Sequence, residues 1–133
     1  MSLAIGRHIS MRLLNDERVV SMVGARVYPL LAPADTASPY IVYERNSISP
    51  SYDKAAVVVD ECNVSVYIYG ETYSQSVTLA EYVRAALEGV LAEYEDYEVM
   101  ECELINASEA KPDDSFEQIL TFKIYTTNGR VRQ

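Results

Sequence analysis

The 133-residue chain has no tryptophan, one histidine, two cysteines and two phenylalanines, and its 11 basic residues are outnumbered by 20 acidic ones. Each scarcity removes a class of function. One histidine and two separated cysteines do not make the four-ligand set of a structural zinc site. Cys62 and Cys102 are too few for a disulfide-stapled scaffold and fit a reduced, cytosolic protein. Five glycines and five prolines in a chain that is 49% hydrophobic point to a globular fold, not a disordered or fibrous one. No uncharged run is long enough to span a membrane, which takes about 18 residues, and the N-terminal stretch lacks the apolar core of a signal peptide. Gly24 and Gly89 stand alone, so there is no glycine-rich phosphate-binding loop. The shortage of Lys and Arg disfavours both ordinary nucleic-acid binding and anionic membranes.

The length suits one domain, residues 1–133, with a single core. The net charge of -9 is not spread over it. Between Glu93 and Glu117 there are ten carboxylates and one cation, Lys111, which accounts for the whole excess; the remainder is neutral. What the chain has in abundance is tyrosine. Eleven tyrosines are present, and this amphipathic residue is enriched where proteins touch one another.

Periodicity predicts the elements. Ile5, Ile9 and Leu13 fall four apart on one helical face. Asn15 is expected to cap a second short helix over residues 16–23, with Asp16 and Glu17 in its first turn, and Gly24 to stop it. A short strand over 26–30 and a surface loop over 32–39 follow. Residues 40–49 read as a strand with Ile41 and Tyr43 on one face and Tyr40, Val42 and Glu44 on the other. Residues 49–60 form either a long loop or a hairpin arm whose Val57, Val58 and Val59 need cover. From 62 to 70 the chain alternates, with Cys62, Val64, Val66 and Ile68 inward and Asn63, Ser65, Tyr67 and Tyr69 outward. Thr72 and Gln75 have capping-box spacing, so a helix begins near Tyr73 and carries an apolar stripe from Leu79 through Val83 and Leu87 to Val90 and Leu91. Residues 98–106, with Met100, Cys102 and Leu104 inward, and 116–125, with Phe116, Leu120, Phe122 and Ile124 inward, make an antiparallel hairpin. The order α-α-β-β-β-α-β-β implies an α+β fold, a mostly antiparallel sheet with helices on one face.

Chemistry finds little support. His8 sits one position off the apolar face of the first helix, with no catalytic partner in the sequence, and is expected at a surface or boundary. Cys62 and Cys102 lie on inward lattices and read as small core residues. Glu101 and Glu103 share a strand face and could raise each other's pKa as an acid/base pair, yet a solvated strand face explains them as well. With Asp113 and Asp114 they match no calcium loop. No catalytic residue, metal site or cofactor site is assigned. The tyrosines differ: Tyr67 and Tyr69, joined by Tyr43 and Tyr125 if they share the face, make an aromatic patch. That patch is either a subunit interface or a second small core beneath the arm.

Several blocks then resemble one family. They are Val20-x-x-Val23-Gly24-x-Arg26-Val27-Tyr28-Pro29, Ser38-Pro39-Tyr40-Ile41-Val42-Tyr43, Val64-Ser65-Val66-Tyr67-Ile68-Tyr69, and Thr72-Tyr73 leading to Leu79-Ala80-x-x-Val83-Arg84-x-Ala86-Leu87. In this order and spacing they are similar to the tail-completion, or tail-terminator, head-to-tail joining proteins of long-tailed bacteriophages and prophages. The resemblance implies a non-catalytic virion protein without cofactor or metal. It implies a ring, usually a hexamer, that caps the head-proximal end of the tail tube. Its partners would be copies of itself, the tail-tube protein and a head-completion or connector protein, at the head-tail junction of a virion assembled in the bacterial cytoplasm. Specific nucleic-acid binding and membrane contact are not expected. A ring needs two different patches per subunit; Tyr43, Tyr67, Tyr69 and Tyr125 are candidates for one, and the arm with Tyr52, Val57, Val58 and Val59 for the other. Glu101, Glu103, Asp113 and Asp114 would form a surface that repels passing DNA. The alternatives are a different head-tail connector, a head-completion or stopper protein, and a small α+β ligand-binding domain or enzyme using the Glu101/Glu103 face.

Overall fold

Apolar residues four apart fold the N-terminus into a helix whose Ile5, Ile9 and Leu13 are fully buried. The computed structural model describes residues 2–52 and 58–127, with backbone alone for Tyr52 and Val58. A 3-10 turn, Ser2–Ala4, leads into α1 (Ile5–Leu14), which is followed by α2 (Glu17–Val23). The cap of α2 is Asp16, not Asn15. The Asp16 carboxylate accepts from the backbone N–H of Arg18 at 3.0 Å and of Val19 at 3.2 Å. Asn15 instead closes α1, its side-chain amide donating to the Met11 carbonyl at 2.8 Å. The division is chemical: a helix start needs an acceptor, best an anion, and a helix end needs a donor. Gly24, at φ +61°, ends α2.

Six strands follow, with one helix between the third and fourth: β1 (Val27–Pro29), β2 (Tyr40–Tyr52), β3 (Val58–Gly70), α3 (Tyr73–Leu87), β4 (Ala92–Glu93), β5 (Glu98–Ala110) and β6 (Phe116–Thr127). They form one sheet in the order β1-β2-β3-β6-β5-β4, antiparallel throughout except where β1 runs parallel to β2. The fold is α+β, as its sequence pattern implies. The two-residue β4 is too short to leave a periodic signal. Residues 49–60 are resolved in favour of a hairpin arm, since β2 and β3 stay paired as far as Tyr52 and Val58. The β5-β6 hairpin is also longer than expected, its turn confined to residues 111–115.

All three helices pack on one face of this sheet. Leu79, Val83 and Leu87 of α3 join Ile5, Ile9, Leu13, Val19 and Val23 against Val64, Val66, Ile68, Phe122 and Ile124. Thr72 caps α3 by accepting from the Gln75 N–H at 3.0 Å, while the Gln75 side chain accepts from the Glu71 N–H at 2.7 Å. Replacing Thr72 by Ala should therefore cost about 1 kcal/mol, read as a lower urea midpoint with an unchanged slope. The helix stops at Leu87 and Gly89 turns away at φ +76°, so the expected continuation of its apolar stripe to Leu91 does not occur; Leu91 is exposed. Met100 is exposed too, against expectation. A bulge between Val99 and Glu101 inserts one residue, and Val99 and Cys102 take the inward positions around it.

Candidate assembly surface

Strand alternation sends every second side chain of the sheet away from the helices, and among the described residues no element covers that side. The register arranges this open face in rows across β2, β3, β6 and β5. Tyr40, Tyr69, Glu117 and Ala110 form the row nearest the β5-β6 turn, and Val42, Tyr67, Ile119 and Ser108 the next. Further along lie Asn63, Lys123 and Glu103, then Glu61, Tyr125 and Glu101, then Val59, Thr127 and Glu98. The face is thus aromatic at one end and carboxylate-rich at the other.

At the aromatic end the rings are held in place. Tyr40 and Tyr69 stack at 4.7 Å between centroids, and the Tyr67 hydroxyl donates to Glu44 Oε2 at 2.8 Å. The Glu44 hydrogen bond, and then burial, raises the Tyr67 pKa. Burial, followed by a hydrogen bond to Glu117, raises that of Tyr69 strongly. Both are neutral phenols that donate to carboxylates, and rings fixed in this way lose little conformational freedom when a partner covers them.

Of the tyrosines singled out in the sequence, Tyr67, Tyr69 and Tyr125 share this face and Tyr43 does not. Tyr43 pairs with the inward Val66 and packs towards the helices, its ring 3.1 Å from where a Cβ on Gly6 would stand. Tyr40 takes the place it was expected to hold. The parity was readable: Tyr43 alternates with Ile41, which is buried, while Tyr40 alternates with Glu44. Val59 lies half-buried on the open face beside Thr127. Tyr52 and Val58 pair at the end of the arm, and Val57 lies outside the described residues.

The four carboxylates expected to act together are split. Glu101 and Glu103 are exposed on the open face, whereas Asp113 and Asp114 sit in the β5-β6 turn beyond the Tyr69/Glu117 row. From the Lys123 row to the Glu117 row is six residues, about 20 Å. An antiparallel hairpin places residues close in sequence at opposite ends of its strands.

On the helix side the groups with chemical potential, Cys62, Cys102 and His8, are buried. Burial, then Glu88 and Glu103, pushes the Cys102 thiol up to about 12, and burial raises that of Cys62. Among the described residues no group of three His, Cys, Asp or Glu side chains could hold a metal. His8 is fully buried and not at a boundary, its Nδ1 2.6 Å from the Tyr94 hydroxyl. Its position beside Ile9 was compatible with burial, but Tyr94 is too distant in sequence to signal it.

The family described as tail completion protein gp17 matches residues 7–127. The chain belongs to this family. Tail completion proteins are structural proteins of the virion and not an enzyme family. The match spans α1 to the end of β6. No curated protein sequence matches the chain. Among solved structures it is similar to a chain in one described as the virion of a native gene transfer agent particle. The TM-score is 0.78 at 17% identity, covering 90% of this chain and 91% of that one. At that identity the likeness speaks for the fold. In this tail completion protein the blocks quoted from the sequence meet in space. The Arg26 guanidinium donates to the Pro39 carbonyl at 3.0 Å, tying the α2-β1 turn to the start of β2, and the third and fourth blocks are the middle of β3 and α3.

Proposed function

We propose that the chain is the subunit of a ring, probed first as a hexamer, that caps the head-proximal end of a phage or prophage tail tube and joins it to a head-completion protein at the head-tail junction. The observation that carries this reading is the open sheet face. One side of a six-stranded sheet, with Tyr40, Tyr67 and Tyr69 oriented by stacking and hydrogen bonds, has no helix or second sheet packed over it among the described residues, only the loop 30–36 beside Tyr40, Val42 and Tyr69. Monomers rarely leave such a surface bare. The β2-β3 arm, paired as far as Tyr52 and Val58 and carrying Val59, is the second patch that a head-to-tail ring contact requires. Glu101 and Glu103 belong on the lumen side in this reading, where carboxylates repel DNA phosphates; a ring map with them on the outer wall overturns that assignment.

Light scattering on the purified protein, alone and with tail-tube protein, tests the ring. A discrete multiple of the subunit mass is expected, and a monomer under both conditions overturns the proposal. The double substitution Tyr67→Ala/Tyr69→Ala should abolish the multiple while leaving circular dichroism unchanged, because buried aromatic anchors dominate interfaces at about 2 kcal/mol or more each. Should the double variant instead unfold as a monomer, the tyrosines belong to a second core. Assembly with head-connector protein but never with tube protein would assign a stopper role.

A further inference from the structure

One register row crosses the sheet from the β1 edge to the β5 edge, through Pro29, Tyr43, Val66, Leu120 and Ala107. Each end of it carries an exposed apolar feature. Directly after Pro29 stand Leu30 and Leu31, 72% and 80% exposed. Leu30 has φ +66°, a left-handed conformation that a branched side chain rarely adopts. Hydrogen bonds hold it there: the Leu30 N–H donates to the Tyr43 carbonyl at 2.8 Å, and the Leu31 N–H to the Pro29 carbonyl at 2.7 Å. Such a turn ordinarily takes glycine, and strain retained beneath two exposed leucines points to a segment kept for contact. At the other end Ala107 and Leu120 line a groove of about 160 Å³ between β5 and α3, whose apolar lining is completed by Val77, Ala80 and Leu104. A cavity of about 150 Å³ accommodates a group the size of benzene, so one leucine side chain fits. Among the described residues no strand covers this part of β5. β4 pairs only with Glu98 and Val99, and Ile105 to Ala110 are exposed with neither Pro nor Lys to guard the edge.

We propose that, within the ring on which this inference rests, Leu30 of one copy seats in the α3-β5 groove of the next, with Leu31 against the exposed Ile105. A copy displaced sideways along the register row, its sheet facing the same way, presents Leu30 at the level of Ala107. That is the head-to-tail relation a ring uses, with two different patches on each subunit. Charge selects it over a two-fold pairing of like edges. Residues 88–110 contain eight carboxylates and no cation, so two β5 edges brought together would repel. The opposite edge supplies Arg26 and Arg45 against Asp35 and Glu44. Pro29 has no N–H to give a neighbouring strand, so side chains, not a continued ladder, carry the contact.

Light scattering and cross-linking of the full chain, alone and with tail-tube protein, test the contact. Leu30→Gly removes the anchor and suits the backbone. It should leave the thermal midpoint of the dilute subunit unchanged or higher, while raising the concentration for half-assembly about tenfold or more. Ala107→Trp, which fills the groove, should weaken assembly in the same way with circular dichroism unchanged. To locate the contact, Leu30→Cys protein is mixed with Ala107→Cys protein under mild oxidation, the native Cys62 and Cys102 being buried. Disulfide-linked dimers are expected in the mixture and in neither variant alone. Linkage of Leu30→Cys protein to itself would assign a two-fold contact and overturn the proposal. A discrete multiple that survives Leu30→Gly, or that forms without the mixed cross-link, leaves the ring standing and overturns this contact. A monomer under both conditions overturns the ring and this contact with it.

Discussion

Between pH 7 and pH 4 the protein should lose about 3 kcal/mol of stability through His8 alone. Burial, and then the nearby positive charge of Arg12, lowers the imidazole pKa from 6.5 to about 4. The unfolded chain thus takes up a proton between these values that the folded chain refuses. The stabilisation is fully present above pH 6.5, declines as the pH falls, and levels off near the folded pKa. The geometry explains the refusal. With the Tyr94 hydroxyl donating to Nδ1, the neutral ring keeps its hydrogen on Nε2, which has no partner among the described residues. A charged ring would place a cation there with no anion to meet it. Urea midpoints of the parent and of His8→Leu at several pH values decide the matter. The parent should lose stability over this range by about 3 kcal/mol more than the variant, which has no imidazole to protonate. Equal slopes for the two proteins would show that His8 is not the group responsible. Carboxylates such as Glu88, whose pKa is held down by its bond to Arg84, add acid sensitivity to both proteins alike.

Gly70→Ala should cost about 2–3 kcal/mol, a large effect for a single methyl group. Gly70 is the last residue of β3, buried where the strand passes beneath the first turn of α3. A Cβ there would stand 2.8 Å from the Ser76 backbone nitrogen and 3.1 Å from its Cα and Cβ. The helix cannot easily retreat. The Ser76 N–H donates to the Thr72 carbonyl at 3.1 Å, its hydroxyl donates to the Tyr73 carbonyl at 2.7 Å, and the Gln118 amide donates to that hydroxyl at 3.3 Å. Gly89→Ala is the comparison. Gly89 has φ +76° but nothing within 4 Å of its would-be Cβ, so only backbone strain of about 1–2 kcal/mol applies. Thermal or urea denaturation should therefore rank Gly70→Ala below Gly89→Ala; the reverse order would mean that the close approach of β3 and α3 relaxes without cost.

Much of this structure is legible residue by residue. The caps at Thr72 and Gly24, the inward lattice from Cys62 to Ile68 and the buried stripe of α1 all follow from local geometry: each needs only neighbours within one helical turn or two strand positions. The errors share a different cause. Met100 was expected inward because alternation was carried through a bulge, and a bulge is decided by the partner strand. Asn15 was expected to cap α2 because amide and carboxylate residues both cap helices; adjacent helix ends decided which took the acceptor role. His8 was expected at a boundary because its partner, Tyr94, is 86 residues away.

The candidate surface shows the same division. Local alternation was enough to place Tyr67 and Tyr69 outside the core, and arithmetic was enough to locate the whole net charge between Glu93 and Glu117. The fold class and the family resemblance were within reach for the same reason, since both rest on the order of short local patterns. Only the tertiary structure decided that Tyr67 and Tyr69 lie at one end of the open face and Glu101 and Glu103, with Tyr125, at the other, that Asp113 and Asp114 lie apart from Glu101 and Glu103, and that Tyr43 belongs to the helix side. Those are matters of strand order and register. Strand order and register come from pairing between segments far apart in the chain, chosen by which arrangement buries the inward lattices of β2, β3, β5 and β6 together under the three helices.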